Sequence, residues 1–304
     1  MTQAYWLSGL KLDSDFPLPA LARWEGPEDI VGDVAIRRGK VPSRLDRPDH
    51  VGPIFQTRGR NEYLLALPAT GRIFLRNGNE ITVDPETDAD AHTISAILTG
   101  PIQAVLWHQR GLLPLQASGV MVGGGAVALC GPSASGKSTL AATLAARGCA
   151  VIADDLCLVE ARESEAVSVL PGCARLRLWR DSLDRLCIGA TALTRALTGQ
   201  DVFFLDCGGP TPRAKSALGA VVVLFHGESG RVEFKRMRGA LAVDTLYGMV
   251  HTRRPAGALG RGHDIFIAVK RLTSAGAPIW ALRFPSDPSC LGEAAAHVLT
   301  ATEG

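Results

Sequence analysis

The sequence predicts an α/β fold with a small β-rich domain in front of it, and three observations support this prediction. Residues 1–90 contain many turn signals and short β-like runs. After Leu112, apolar strands alternate with helical stretches, which is typical of α/β proteins. A loop of small residues, 131–136, separates a buried strand from a helix. We therefore expect two domains, at 1–90 and 91–304.

Length and composition limit the class of protein. The chain has 304 residues, of which 46% are hydrophobic and 20% are charged. At roughly 150 residues per domain this is about two domains, and the apolar fraction excludes an intrinsically disordered protein. The net charge of +2, from 32 basic and 30 acidic residues, gives no global field for binding nucleic acid or a membrane.

The N-terminus and the cysteines favour a cytoplasmic location. The segment MTQAYWLSGLKLDSD lacks the basic head and apolar block of a signal peptide. No apolar run reaches the ~18 residues that a membrane helix needs. The seven cysteines are odd in number and form no CxxC pair, so we expect most of them to be small core residues and not parts of a disulfide framework or a structural zinc site.

The N-terminal domain is expected to consist of strands joined by tight turns, at 34–36, 62–67, 72–76 and 80–83. Asn77 and Gly78 predict a hairpin between the last two strands, because both residue types tolerate positive φ. The sequence of this domain contains no motif that is typical of a catalytic or ligand-binding site. Its expected use is recognition, with a sheet edge that holds an extended peptide by strand addition.

A helical stretch, 91–110, follows the polar segment 84–90. Pro101 is expected to split this stretch into two helices, since proline interrupts the helical hydrogen bonds. His108, near its end, is expected to be a cap or a surface residue. The apolar residues at helical spacing are Ile94, Ile97, Leu98, Ile102, Val105 and Leu106.

The remaining elements are expected to alternate. A strand at 127–130 leads into a helix at 137–147, which Gly148 ends from the C′ position, and a second strand follows at 150–153. Later strands are predicted at 167–170, 220–225, 231–235, 265–269 and 279–284.

The loop after strand 127–130 matches the pattern GxxxxGK[ST]. Small residues let backbone N–H groups surround phosphate oxygens, and the helix N-terminus adds partial positive charge. Lys137 can reach the β- and γ-phosphates, and Ser138 offers a hydroxyl to Mg²⁺. The loop therefore predicts a nucleotide together with Mg²⁺, and it does not by itself distinguish ATP from GTP. The residues expected to bind the nucleotide are Gly131, Pro132, Ser133, Ala134, Ser135, Gly136, Lys137, Ser138 and Thr139.

Two consecutive carboxylates, Asp154 and Asp155, follow strand 150–153. In open α/β sheets the carboxyl ends of the strands face the crevice where ligands bind. One carboxylate can organise Mg²⁺ or its water shell, and the other can accept a proton from an incoming hydroxyl. The alternative is a helix N-cap beside a solvated acid. The chain has no LSGGQ-like or NKxD-like segment, which argues against a transporter ATPase and a guanine reader.

The run GPSASGKSTLAATLAARGCAVIADD, from Gly131 to Asp155, resembles the catalytic core of HPr kinase/phosphorylase and its relatives. In that family the second aspartate of the ADD element lies eighteen residues after the lysine of the loop, as Asp155 does after Lys137. The segments HQRGLLPLQASGVMVGGGAVALCG, 176–182 and 278–285 resemble a subgroup found with lasso-peptide biosynthesis genes. The resemblance covers most of the chain and is specific only in the run that ends at Asp155.

The resemblance implies a P-loop nucleotide-binding core of the HPr kinase C-terminal-domain type and ATP-dependent phosphorylation of a serine hydroxyl. The best candidate acceptor is the C-terminal serine of a lasso precursor peptide. Asp155 resembles the proton acceptor and Lys137 the phosphate clamp. Ser138, with Asp154, is implied to bind Mg²⁺. Relatives assemble into hexamers, so a homo-oligomer is possible.

The sequence also departs from the family at two places. Gln116 stands where the family has a histidine, and it cannot titrate. Arg175 and Arg177 occupy the region of a second Mg²⁺-binding glutamate, which argues against the reverse, dephosphorylating reaction. The family's mobile loop contains an arginine that can stabilise the transferring phosphoryl group. Arg254 and Arg261 are both candidates for that role.

Other functions remain open. A nucleotide-binding switch would bind ATP or GTP without phosphorylating an acceptor, and a scaffold would deliver a precursor peptide independently of nucleotide. Kinases of an HPr-type protein or of a small molecule are variants within the enzyme class. Trp107 and Trp280 are expected in the core, and Trp179 in the core or at its rim. Ser118 is expected to be a polar turn residue.

Overall fold

The computed structural model describes residues 2–27, 29–163, 165–207, 212–227, 230–285 and 287–303. The chain forms two compact units, and both contain strands and helices, so the predicted mixed α/β class is confirmed. The bounds of the first unit are Met1–Leu112, Leu197–Gly199 and His251–Ile265. The bounds of the second unit are Leu113–Ala196, Gln200–Val250 and Phe266–Gly304.

The first unit is built on one sheet. Its strands are β1 (Gln3–Leu7), β2 (Leu10–Ser14), β3 (Val34–Arg38), β4 (His50–Val51), β5 (Phe55–Arg58), β6 (Glu62–Leu67), β7 (Gly71–Arg76) and β8 (Glu80–Pro85). Their order in the sheet is β1-β2-β3-β8-β7-β6-β5-β4. Asn77 and Gly78 have φ values of 55° and 64°, as the predicted hairpin between β7 and β8 requires.

The first unit extends past the boundary predicted near residue 90. It includes α1 (Ala91–Ile97) and α2 (Gln103–Gln109) and ends its first segment at residue 112. Leu106 lines a small cavity together with Ile36 of the sheet. The apolar side of the helical stretch is therefore buried against the sheet, which explains why these helices belong to the same unit.

The helical stretch does not break at Pro101. A π-helical turn, Leu98–Ile102, contains Pro101 and joins α1 to α2 without an intervening loop. The wider π turn accommodates a residue that lacks a backbone N–H. The stretch is thus divided into two α-helices as predicted, and the division is a π-helical turn around Pro101.

The remaining helices differ in length and in the unit to which they belong. They are α3 (Lys137–Ala145), α4 (Arg180–Arg185), α5 (Gly239–Gly248), α6 (Arg253–Ala258), α7 (Gly262–Ser274) and α8 (Leu291–Leu299). Helix α6 belongs to the first unit, and α3, α4, α5 and α8 belong to the second. Within the described residues, no helix is both long enough and apolar enough to cross a membrane.

The second unit contains the remaining strands. They are β9 (Leu113–Val122), β10 (Gly125–Cys130), β11 (Val151–Ala153), β12 (Leu156–Glu160), β13 (Ser168–Leu170), β14 (Arg175–Trp179), β15 (Thr194–Arg195), β16 (Val202–Asp206), β17 (Ser216–His226), β18 (Glu233–Met237) and β19 (Ile279–Phe284). The main sheet has the order β10-β9-β12-β13-β17-β19-β18, with β11 paired to β9 and β10 also paired to β17. A small separate sheet has the order β14-β16-β15.

Strand direction brings the functional segments of the second unit to one edge. Strands β10, β17 and β19 are parallel, and β10 and β11 both pair antiparallel with β9. The carboxyl ends of β10 and β11 therefore point the same way. Apolar residues of β10, β17, α3 and α8 form the core beneath this edge, including Leu129, Leu140, Leu144, Val222, Leu224 and Val298.

One predicted strand is a helix. The run 265–269 is continuously apolar and three of its five residues are β-branched, which favours a strand, but it lies inside α7. The buried residues are Ile265, Val269 and Leu272, at spacings of four and three residues. This helical periodicity continues beyond the short apolar run, so a longer stretch of the sequence predicts the helix correctly.

The seven cysteines are all free thiols. Cys130 and Cys157 are buried in the sheet, as expected of small core residues. Four others are partly buried and Cys187 is exposed, so fewer of the cysteines lie fully in the core than predicted.

His108 is buried, in contrast to the predicted cap or surface position. It is 1% exposed, because the second half of the helical stretch is buried on nearly all sides. Its Nε2 lies 2.8 Å from the carbonyl oxygen of His251. Burial lowers the pKa of His108 to about 4, and the nearby positive charge of Arg261 adds to this effect, while the contact with His251 opposes it.

We predict that His108 makes stability depend on pH. Between its ordinary pKa of 6.5 and its folded value of about 4, the unfolded chain gains a proton that the folded protein does not. The free energy of unfolding should therefore fall as the pH is lowered through this window, by at most about 3 kcal/mol. Urea unfolding at several pH values should show a shallower dependence for His108→Gln.

The matched control for this prediction is His92→Gln, because His92 is an exposed histidine on α1. The control should keep the pH dependence of the unchanged protein. Equal slopes for His108→Gln and the unchanged protein would contradict the assignment.

Candidate active site

The predicted phosphate loop connects β10 to α3 in the second unit. Gly131 has no room for a side chain, because a Cβ there would collide with the Ser135 hydroxyl and lie 3.2 Å from the Leu224 carbonyl oxygen. Ala134 and Gly136 have φ values of 64° and 90°, in the left-handed region. This conformation turns backbone amides towards the inside of a loop, where they can bind an anion.

The ammonium group of Lys137 lies over this loop. Lys137 begins α3, is 7% exposed, and donates a hydrogen bond of 2.7 Å to the Pro132 carbonyl oxygen. Burial lowers the pKa of Lys137, and the carboxylates of Asp155 and Asp154 partly offset this effect. An incoming phosphate would therefore meet a cation that is already held over the loop.

The Asp154 carboxylate connects three elements around the loop. Its Oδ1 accepts hydrogen bonds from the hydroxyls of Ser118 on β9, at 2.6 Å, and Ser138 on α3, at 2.8 Å. Its Oδ2 accepts a bond of 2.8 Å from the backbone N–H of Arg177 on β14. Burial raises the pKa of Asp154, and the bonds from Ser118 and Arg177 act in the opposite direction.

Asp155 points to a different partner. Its φ of 63° lies in the left-handed region, and its carboxylate forms an ion pair with the guanidinium of Arg177. The side chains of Asp155 and Arg177 are 35% and 28% exposed, so both are accessible at the edge of the sheet. The two consecutive aspartates thus have different environments, one buried and one at the surface.

Sequence reasoning missed two residues of this cluster. Ser118 is buried and bonded to Asp154, so its assignment as a turn residue is wrong. Arg177 contacts both aspartates but was treated only as the replacement for a glutamate. A signal was available for Arg177, because Arg175–Trp179 alternates polar and apolar residues as a half-buried strand does.

Two other assigned residues belong to the first unit. Arg254 is exposed on α6. Arg261 precedes α7, where its Nε lies 3.3 Å from Oδ2 of Asp264. The loop belongs to the second unit, so a role of either arginine in phosphoryl transfer stays a prediction.

Three further residues have clear positions. Gln116 lies on β9, and its carbonyl oxygen accepts a bond of 3.3 Å from the N–H of Gly131. Thr139 donates from its hydroxyl to Ser182 at 3.1 Å, which links α3 to α4. Trp179 is 55% exposed at the end of β14, so of the two places predicted for it, the core or its rim, the core is wrong.

A shallow groove opens beside the loop. It lies at the carboxyl ends of β17 and β19, and it combines aromatic and polar side chains. Its lining residues include Gly136, Thr139, Arg185, His226, Phe284 and Asp287. Such a combination is typical of small-molecule sites.

The cluster fits a phosphate group with its metal ion. Among the described residues, the Ser135 hydroxyl is buried in the loop without a hydrogen-bond partner, which leaves it available to a phosphate oxygen. Ser138 and Asp154 bring a hydroxyl and a carboxylate oxygen to within 2.8 Å of each other. Oxygen ligands of these types suit Mg²⁺. The arrangement can therefore bind a polyphosphate and hold a carboxylate, Asp155, next to it.

We predict that Gly136→Ala weakens Mg-ATP binding by at least about tenfold. The left-handed φ of 90° costs an alanine about 1–2 kcal/mol, and its Cβ would lie 3.3 Å from Cζ of Phe284 in the groove. Calorimetric titration with Mg-ATP measures the affinity, and urea unfolding measures the stability.

Gly148→Ala is the matched control, because Gly148 has a φ of 89° after the other end of α3 and no neighbour crowds its Cβ. It should lose similar stability and keep its affinity. If both variants bind equally well, the loop is not the binding site.

Comparison with known proteins assigns no family to this chain. No family model matches it, and no curated protein matches it. Solved structures do match, among them the HPr(Ser) kinase/phosphatase from Coxiella burnetii, at 13% sequence identity and a TM-score of 0.32. This match covers 62% of the present chain and 89% of that chain.

Proposed function

We propose that this protein is an ATP- and Mg²⁺-dependent serine kinase with a peptide acceptor. One observation carries the proposal: the loop that holds Lys137 and Ser138 is bonded through Asp154 to the segment that presents Asp155. Phosphate-binding groups and a candidate base are therefore held together on one edge of the sheet. The similarity of the run from Gly131 to Asp155 to the HPr kinase catalytic core agrees with this chemistry.

The loop would bind and orient the triphosphate. Backbone amides and the N-terminus of α3 would face the phosphate oxygens, and Lys137 would leave the Pro132 carbonyl to contact them. Bound Mg²⁺ supplies positive charge to the phosphates, and Ser138 and Asp154 are the residues that would hold it. The groove beside Phe284 would receive the nucleoside.

Asp155 would accept the proton of the acceptor hydroxyl. The hydroxyl oxygen forms a bond to the γ-phosphorus, the bond from that phosphorus to the β–γ bridging oxygen breaks, and its electron pair leaves with ADP. The hydroxyl proton passes to the carboxylate of Asp155, while Arg177 keeps this carboxylate oriented. Positioning and charge stabilisation supply most of the rate enhancement, because the transition state of phosphoryl transfer is loose.

The acceptor we propose is the C-terminal serine of a lasso precursor peptide. The resemblance in sequence supports this choice, and an edge of the sheet in the first unit would hold the peptide by strand addition. At one end of that sheet the two-residue strand β4 is exposed. A cytoplasmic location and a homo-oligomeric assembly stay predictions.

An intact-mass assay with Mg-ATP tests the function. The acceptors are a lasso precursor with a C-terminal serine, its serine-to-alanine variant and an HPr protein. One added phosphate on the first peptide alone would support the proposed kinase and its acceptor. Phosphate on the HPr protein alone would move the assignment to an HPr-type kinase.

One observation favours a second candidate, a nucleotide-binding switch. The carboxylate of Asp155 is already neutralised by Arg177, which a non-catalytic protein would also tolerate. The same assay separates the two functions, because a switch binds ATP and modifies no acceptor. Peptide binding that survives Lys137→Ala and needs no nucleotide would instead indicate a scaffold.

We predict that Asp155→Asn keeps ATP affinity and lowers phosphoryl transfer by about 100-fold or more. Asparagine keeps the shape of the side chain and cannot take up the proton, and general-base catalysis contributes about 10²–10⁴-fold. Single-turnover transfer and nucleotide titration measure the two effects separately.

The control for Asp155→Asn is Asp206→Asn, since Asp206 is an exposed aspartate paired with Arg175 in the small sheet. It should leave transfer unchanged. Full transfer by Asp155→Asn would show that Asp155 is not the proton acceptor.

We predict that Lys137→Ala lowers turnover, chiefly because the variant binds and orients the phosphates less well. The buried ammonium is held over the loop, and alanine removes both its charge and its donors. Lys215→Ala, on an exposed lysine paired with Glu160, is the control in the same transfer assay. Equal turnover in the two variants would exclude Lys137 from phosphate binding.

A further inference from the structure

Arg177 contacts both aspartates of the site through different atoms. Its backbone N–H donates to Oδ2 of Asp154 at 2.8 Å, and its guanidinium forms the ion pair with Asp155. Within the described residues, Asp155 is the one hydrogen-bond partner of this guanidinium. Arg177 is paired with Phe204 in the small sheet, so a strand holds its backbone in place.

These contacts limit where a metal ion can bind. Both oxygens of the buried Asp154 carboxylate already accept hydrogen bonds, so an ion has to replace one of the donors, and the proposed function places it at the partly exposed Ser138 hydroxyl. Asp155 is the other carboxylate of the cluster, and it could hold a second ion. Its carboxylate already forms an ion pair with the guanidinium of Arg177. A second divalent cation on Asp155 would therefore have to displace the guanidinium or lie against its positive charge.

We propose that the site takes a single divalent cation with the nucleotide, and that Arg177 supplies a fixed positive charge where a second cation would otherwise bind. This inference rests on the proposed function, since it requires nucleotide binding at the loop. Arg177 is then a positioning residue, which holds Asp155 as a base and prevents it from becoming a metal ligand.

The test counts Mn²⁺ ions bound to the full chain in the presence of a non-hydrolysable ATP analogue. Electron paramagnetic resonance measures free Mn²⁺, and the same titration without nucleotide is subtracted. The unchanged protein should bind one nucleotide-dependent ion. Arg177→Gln frees the Asp155 carboxylate and should bind two, while Arg177→Lys keeps the charge and should bind one.

Arg175→Gln is the matched control, because Arg175 lies two residues earlier on β14 and forms its ion pair with Asp206. It should also bind one ion. Thermal unfolding and analogue affinity show whether each variant is folded. If Arg177→Gln does not fold, Arg177→Met takes its place, because it keeps the apolar part of the side chain, also frees the Asp155 carboxylate and should bind two ions.

Two nucleotide-dependent ions in the unchanged protein would overturn the proposal, and so would one ion in a folded Arg177→Gln variant. The failure of the proposed function looks different. In that case the analogue does not bind, or it binds with no accompanying Mn²⁺. A purely structural role for Arg177 would lower stability and leave the count at one.

Discussion

The candidate site depends on the hydrogen bonds that the buried Asp154 carboxylate accepts. A charge in the protein interior is costly unless donors surround it, and here Ser118, Ser138 and the Arg177 backbone provide them. Each donor belongs to a different element, namely β9, α3 and β14. Removing the carboxylate would therefore break the links from helix α3 to β9 and to β14, the strand that carries Arg177.

The charges around Asp154 explain why two acids can follow one another in a mostly buried segment. The positive charges of Lys137 and Arg177 balance the negative charges of Asp154 and Asp155, so the net charge of the cluster is zero when all four side chains are ionised. Burial lowers the pKa of Lys137 and raises the pKa of Asp154, so either group alone would tend to lose its charge. Together they can remain charged, because each compensates the desolvation of the other.

The sequence predicts the parts of this site that are local in the chain. The loop, the helix that it opens and the strand before Asp154 are short, contiguous patterns with strong periodicity or glycine signals. Ser118 and Arg177 reach the site from 36 and 23 residues away from Asp154, and no local pattern encodes those contacts. The error at 265–269 has a different origin, since a short apolar run fits a strand as well as a buried helix.

Charge balance also constrains how ligands enter. The cluster is neutral before a triphosphate arrives, so the incoming negative charge has no surplus side-chain cation waiting for it among Lys137, Arg177, Asp154 and Asp155. The loop amides and the N-terminus of α3 provide only partial charges. In the proposed kinase, Lys137 would exchange the Pro132 carbonyl for phosphate, and the remaining positive charge would have to come with the nucleotide. Metal and nucleotide would then bind together, with Asp154 and Ser138 as the residues that hold the metal.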